Sequence, residues 1–297
     1  MTKESLILDG KKVANDLKHC LKNKINQISE KAGKRPKLAV ILVGDNNASK
    51  VYIAHKEKAA KELGIESDTH YLPANTKQED LNSLIKILNE DENINGILLQ
   101  LPLPATLSPD IAILQINPLK DIDGLHPFNL GLIMTGKPNL IPCTPFGIMR
   151  LLQAYHFNPK GLKATVIGRS RLVGKPIAEL LINASATVTI MHSKSRLADL
   201  IESVKQADLV IAAIGQPAFV KADWIKENAI LIDVGINRLE NGKLIGDIDF
   251  EACVNEGKAK AITPVPGGVG PLTVAHLMLN TVKAFEIQCF GYSSIEL

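Results

Sequence analysis

The chain has 297 residues, 45% hydrophobic and 22% charged, which suits a soluble globular protein of two domains or one large one. Its net charge of +3 is too small to argue for nucleic acid, and no apolar run approaches the roughly 18 residues needed to span a bilayer. Cys20, Cys143, Cys253 and Cys289 lie far apart with no CxxC and no nearby histidine, which argues against a zinc site or a disulfide framework and fits a reducing cytoplasm. The opening MTKESLILDGKK has no apolar h-region, so a cytosolic protein is expected, without membrane or nucleic-acid partners.

Val13, Leu17, Cys20, Leu21, Ile25 and Ile28 have the spacing of an amphipathic helix over 10–30, ended by Gly33 and Pro36. KLAVILVG (37–44) is short and continuously apolar, as a buried strand is. A helix over 49–63 closes at Gly64, and SDTHYLP (67–73) reads as a short strand. Thr76-x-x-Glu79 has the form of a capping box before Leu81, Leu84, Ile85 and Leu88. INGILLQLPLP (94–104) is a strand stopped by prolines, and SPDIAILQI (108–116) starts a helix with Pro in its first turn. The alternation argues for a parallel sheet. Residues 117–143 are irregular, and Thr144-Pro145 then opens a helix to about 156. A second series follows, with strands in KATVIGRS, ATVTIMHS, ADLVIAAIG and AILIDVG and a helix over 175–184. This is a doubly wound, Rossmann-type pattern. A last helix is expected over 271–287 and is read as returning to the first domain. The expected fold is therefore two α/β domains: residues 1–143, completed by 274–297, and residues 144–273.

GRSRLVGKP lies between a strand and a helix. Gly168 stands at the tight turn, Ser170 where a dinucleotide fingerprint has its second glycine, and Gly174 one residue later than G-x-G-x-x-G allows. The free N–H groups of a helix start there suit a pyrophosphate. The next strand ends in His192-Ser193-Lys194-Ser195-Arg196 and carries no carboxylate to bind a ribose hydroxyl. Serine and cationic groups suit a 2′-phosphate, so NADP is favoured over NAD. Lys194 and Arg196, taken singly, read equally well as a solvated basic loop.

Ser49, Tyr52 and Lys56, at offsets of three and seven, fall on one helical face. Gln100 ends an apolar strand, where ligand groups often lie in α/β sheets. Asp121 and Asp123 stand in DIDG, which opens like a calcium loop but has His126 where Gly is required and Leu132 where Glu is required; GDIDF (246–250) fails in the same way. No metal is expected. Tyr52-x-x-x-Lys56 also matches the pair of short-chain dehydrogenases, but there the glycine loop comes first in the chain, and here it follows by more than a hundred residues.

Taken together, VGDNNASKVYIAHKEKAAKELGI, GILLQLPLP, KDIDGLHPFNLG, PCTPFGI, GRSRLVGKP, DVGIN and TPVPGGVGPLT make the chain resemble bifunctional methylenetetrahydrofolate dehydrogenase/methenyltetrahydrofolate cyclohydrolase. The resemblance spans residues 43–273, and TPVPGGVGPLT is its most specific part. It implies a folate-binding N-terminal domain, an NADP-binding C-terminal domain, a cleft between them, a homodimer and a place in one-carbon metabolism. It implies Lys56 as the catalytic lysine, Gln100 as its partner, Tyr52 packing on the folate, Asp123 holding the pterin, and Ser49 in the same site. It implies cofactor contacts from Gly168, Arg169, Ser170, Ser193 and Ile236, and a folate-lining loop from Pro266, Gly267 and Gly268. The expected activity is NADP-dependent oxidation of 5,10-methylenetetrahydrofolate to the methenyl form, followed by hydrolysis to 10-formyltetrahydrofolate. A dehydrogenase without the hydrolase is the nearest alternative, although Lys56 and Gln100 speak for both steps. A non-catalytic ligand sensor or a short-chain dehydrogenase fits less well.

The residue types suit this chemistry in their own right. A lysine can move protons beside a cationic substrate, because like charge disfavours its ammonium form. Gln100 can orient an amine without adding charge. A carboxylate at Asp123 accepts from the two-donor edge of a pterin, and Tyr52 offers a ring face.

Overall fold

The computed structural model describes residues 5–295 and divides into two units: Met1–Asn15 with Thr144–Thr273, and Asp16–Cys143 with Val274–Leu297. The chain opens with strand β1 (Leu6–Ile7) and helix α1 (Gly10–Ala32).

The unit of residues 16–143 is built on β2 (Lys37–Val43), α2 (Asn47–Leu63), β3 (Glu66–Leu72), α3 (Gln78–Glu90) and β4 (Gly96–Leu99). Strand β2 lies between β3 and β4 and pairs in parallel with both. A central strand is covered on both faces, which is why its run is apolar without alternation. Leu81, Ile85 and Leu88 of α3 pack in one buried cluster with Ile41, Val43, Ile97 and Leu99. The expected capping box does not form. Helix α3 begins after Lys77, and the Thr76 hydroxyl donates to the Pro73 carbonyl at 2.6 Å instead. Helix α4 (Pro109–Gln115) is capped by Ser108, whose side chain accepts from the Ile111 N–H. Helix α5 (Pro127–Met134) occupies part of the stretch expected to be irregular. Its eight residues carry Pro and Gly and are too few for a periodic signal.

Lys120 ties the end of α3 to the segment after α4. It is 6% exposed, and its ammonium donates to the carbonyls of Leu88, Asn89 and Asp91 at 3.1, 2.7 and 2.8 Å. The Leu88 and Asn89 carbonyls lie at the end of α3, where helical partners run out, and the Asp91 carbonyl just past it also accepts from the Ile94 N–H. Lys120→Met keeps the stem but strands the Leu88 and Asn89 carbonyls, so it should destabilise the protein by about 3 kcal/mol. Urea denaturation checks this, and an unchanged midpoint would contradict it.

The other unit begins with α6 (Cys143–Ala154), which starts at the unit boundary. It continues through β5 (Lys163–Ile167), α7 (Gly174–Asn183), β6 (Thr187–Met191), α8 (Leu197–Gln206), β7 (Leu209–Ala212) and β8 (Ile230–Asp233). The β9–β10 hairpin (Asn237–Arg238, Leu244–Ile245), α9 (Phe250–Glu256) and β11 (Ala261–Ile262) follow. The sheet has six parallel strands in the order β1-β11-β8-β7-β5-β6. All four expected strands are present in it.

The expected start of the first domain at residue 1 is corrected here. Leu6 and Ile7 pair with Ala261 and Ile262, and the Ser5 hydroxyl donates to the Ala259 carbonyl at 2.7 Å. Residues 5–15 therefore belong with the six-stranded sheet. A two-residue edge strand has no period that a sequence can display. The final helix α10 (Val269–Phe290) groups from Val274 onward with residues 16–143. Fully buried Asn280 shows why: its amide donates to the carbonyls of Ile122 and Ile141, both at 2.8 Å.

Candidate active site and cofactor pocket

Helix α2 carries the first group of candidates. Asn46 caps it by accepting from the Ser49 N–H at 3.1 Å, and Gly64 ends it with φ 77°, donating to Ala60 and Lys61 carbonyls. Ile53, Ala59, Ala60 and Leu63 anchor the helix on its buried side. Ser49 is buried, Lys56 is half-buried, and Tyr52 presents its ring at 49% exposure.

The Lys56 ammonium donates to Gln100 Oε1 at 2.9 Å. Gln100 is held in turn: its Nε2 donates to the Leu101 carbonyl at 2.6 Å, and its backbone N–H donates to Ile41 at 2.9 Å, at the end of β4. With both amide ends used, the side chain presents its oxygen to Lys56 in one orientation.

Asp123 stands in the loop between α4 and α5, close enough to Lys56 to interact electrostatically. Burial raises its carboxyl above the ordinary range, while the Lys56 charge and the Cys143 thiol oppose that rise. The loop is rigidly placed. Asp121 accepts from the backbone N–H groups of Leu125 and His126 at 3.2 and 2.8 Å and from Asn129 Nδ2 at 2.8 Å. Gly124, with φ +70°, has no room for a side chain, since a Cβ would lie 2.5 Å from the Ile141 carbonyl carbon. Asp121 thus shapes the turn, while the Asp123 carboxyl interacts with Lys56 and Cys143. Two contributors were missed in the sequence. The buried Cys143 thiol donates to the Ile122 carbonyl at 3.4 Å, and burial, with Asp123 nearby, pushes that thiol well up. Asn280 ties Ile122 of this loop to Ile141. PCTPFGI pointed to Cys143 only as a motif, and nothing local marked Asn280.

The second group lies at the C-terminal ends of β5, β6 and β7. A cavity of about 480 Å³ is lined there by Gly168, Arg169, Ser170, His192, Ser193 and Ser195, and on its other wall by Ile214, Gln216 and Phe219. Gly168 has φ +124°, and a Cβ on it would lie 2.4 Å from the Ala213 carbonyl oxygen. Only glycine fits there. Ser170 stands in for the missing second glycine by capping α7: its Oγ accepts from the Val173 and Gly174 N–H groups at 3.1 and 3.4 Å. The HSKS turn is closed by Ser195, whose Oγ accepts from the His192 N–H at 3.0 Å. Ser193 is left exposed at its tip. Arg196 is committed elsewhere, to Asp199, with Nε–Oδ2 2.7 Å and Nη2–Oδ1 2.9 Å.

Ile236, 49% exposed, follows β8 and does not line this cavity. Pro266, Gly267 and Gly268 form a loop against the start of α1. Lys11 N–H donates to the Gly267 carbonyl at 3.0 Å, and a Cβ on Gly10 would lie 1.8 Å from the Gly268 oxygen. The structure therefore gathers Ser49, Tyr52, Lys56, Gln100 and Asp123 in one unit. The cofactor candidates and the 266–268 loop are in the other.

Comparison with known proteins interprets these two groups. The pattern of the tetrahydrofolate dehydrogenase/cyclohydrolase catalytic domain matches residues 8–123, and that of the NAD(P)-binding domain of the same enzymes matches residues 142–289. A Bifunctional protein FolD from Campylobacter concisus (strain 13826) is 50% identical over 280 residues, covering 94% of this chain and 97% of its own.

The chain belongs to the tetrahydrofolate dehydrogenase/cyclohydrolase family.

Among solved members, the FolD methylenetetrahydrofolate dehydrogenase/cyclohydrolase of Campylobacter jejuni is 46% identical with a TM-score of 0.91, covering 94% of this chain and 98% of its own. The Trypanosoma brucei family enzyme, solved with NADP and an inhibitor, is 37% identical with the same TM-score, covering 95% and 98%. The chain is an oxidoreductase and a hydrolase of this family, and NADP is its cofactor. The pocket fits that cofactor: a glycine turn leaves the space free, and no carboxylate lines it. Among the described residues, no helix is long and apolar enough to cross a membrane.

Proposed function

We propose that Lys56, Gln100, Tyr52, Asp123 and Ser49 carry out the folate chemistry, and that Gly168, Arg169, Ser170, Ser193 and Ile236 hold NADP. The observation that carries this reading is the Lys56–Gln100 hydrogen bond of 2.9 Å beside Asp123. When bound, NADP accepts the hydride from the methylene bridge of the folate, and the product is a methenyl cation. Positioning is the main demand of that step. Asp123 holds the pterin by its donor edge, Tyr52 supports the rings and buried Ser49 completes the site. Pro266, Gly267 and Gly268 are assigned to the folate, and Ile236 to NADP, on the family resemblance alone.

In the second step water adds to the methenyl carbon, one ring C–N bond opens and one proton is released. Lys56 moves that proton as general acid and base, and Gln100 keeps the amine aimed. The same reading makes the protein a cytoplasmic homodimer. Following NADPH formation and then methenyl decay, with methylenetetrahydrofolate as substrate, tests both steps; NADPH formation without accelerated decay would reduce the protein to a dehydrogenase.

Ser193 and Lys194, with no carboxylate nearby in the turn, should favour the 2′-phosphate. We expect kcat/KM for NADP to exceed that for NAD by about tenfold or more, as one charge-assisted contact provides. A preference for NAD would refute the assignment of this turn.

A further inference from the structure

The GDIDF segment (246–250) is not a calcium loop, yet its first aspartate is 0% exposed. The Asp247 carboxylate accepts four hydrogen bonds. Oδ2 takes the backbone N–H groups of Ile214 and Gly215 at 2.7 and 3.0 Å. Oδ1 takes the Gln216 N–H at 2.8 Å and the Asn237 Nδ2 at 3.0 Å. A carboxylate has about four acceptor directions, so its capacity is filled. The donors come from two loops. Ile214 and Gln216 form the wall of the 480 Å³ cavity across from the glycine turn. Asn237 directly follows Ile236.

Asp247 is itself held by a second buried carboxylate. Asp233, at the end of β8, accepts from the N–H groups of Asp247 and Ile248, both at 2.8 Å, and of Gly235 at 3.0 Å. The fit leaves no slack. A Cβ on Gly235 would lie 2.1 Å from Asp247 Oδ1, and one on Gly246 would lie 1.9 Å from Asp233 Oδ2. The geometry points to Asp247 as a positioning residue for NADP, one that acts by fixing the 214–216 wall and the 236–237 segment. This rests on reading the cavity as the cofactor pocket. Three consecutive backbone amides in a loop after a strand have no sheet partner. Gathered on one carboxylate, they hold the wall in a single shape before the cofactor arrives, which lowers the ordering cost of binding.

Asp247→Asn is the decisive variant. It keeps the shape but turns an NH₂ group toward N–H donors, so at least one oxygen's pair of bonds is lost. In the full-length enzyme, the NADP Kd by titration calorimetry and the NADP KM should both rise about tenfold or more. Methenyl hydrolysis assayed without cofactor should stay within about twofold of wild type, since it needs no nicotinamide. General damage to the fold would lower both activities together, and that result, or an unchanged NADP Kd, overturns the inference.

If D247N does not fold, Asn237→Ala decides instead. It removes one of the four donors, so the NADP Kd should rise about threefold, and an unchanged Kd overturns the inference. Ser193→Glu separates the two levels, because a carboxylate there repels the 2′-phosphate. If S193E weakens NADP binding while D247N does not, Asp247 alone has been misassigned. If neither weakens it, the pocket reading fails and the inference falls with it.

Discussion

Replacing Lys56 with methionine should abolish methenyl hydrolysis, lowering its rate by about a thousandfold, within the range that a general acid–base group supplies. Methionine keeps the length and apolar stem of lysine, so α2 loses little packing. What disappears is the ammonium that Gln100 Oε1 receives at 2.9 Å. Gln100, 8% exposed and tied to the Leu101 carbonyl, cannot move protons in its place. Folate binding should remain measurable, because Asp123 and Tyr52 are untouched. The assay is the decay of the methenyl chromophore at saturating substrate. Full turnover in K56M would remove Lys56 from the mechanism.

Asp123→Ala should act on binding. Loss of two charge-assisted hydrogen bonds to the pterin edge should raise the folate KM by about a hundredfold. An unchanged KM would contradict pterin recognition. The pH dependence follows from the raised carboxyl. In the proposed reading, the ionised form accepts both pterin donors. As pH falls through a pKa held above the ordinary carboxylate range by burial, this acceptor is lost. The folate KM should therefore climb on acidification sooner than a solvated aspartate would allow, and D123A should show no such rise.

Much of the candidate site's arrangement is legible in the sequence. Offsets of three and seven placed Ser49, Tyr52 and Lys56 on one helix because helical geometry is local. Gln100 was marked by the apolar run it ends and the proline that follows. Asp121 and Asp123, two residues apart, read alike in sequence. The structure separates them: Asp121 spends its carboxylate on Leu125, His126 and Asn129, and Asp123 does not. Arg196 is open in sequence between a phosphate-turn group and a solvated basic residue; Asp199, one helical turn away, takes its guanidinium in two hydrogen bonds.

Local pattern alone determined the alternation of strands and helices, the glycine turn at Gly168, the absence of a carboxylate at the end of β6 and the spacing of the candidate-site residues on α2. These depend on neighbours a few residues apart, and the chemistry of each side chain is fixed by its type. Only the tertiary structure decided that Leu6–Ile7 joins the six-stranded sheet, that Asn280 clamps Ile122 and Ile141 beside Asp123, and that Asp247 gathers three amides of a loop more than thirty residues away. Each of these rests on long-range hydrogen bonds. Such a partner is chosen by which atoms the fold brings within about 3 Å, and no period or motif in the chain records that choice.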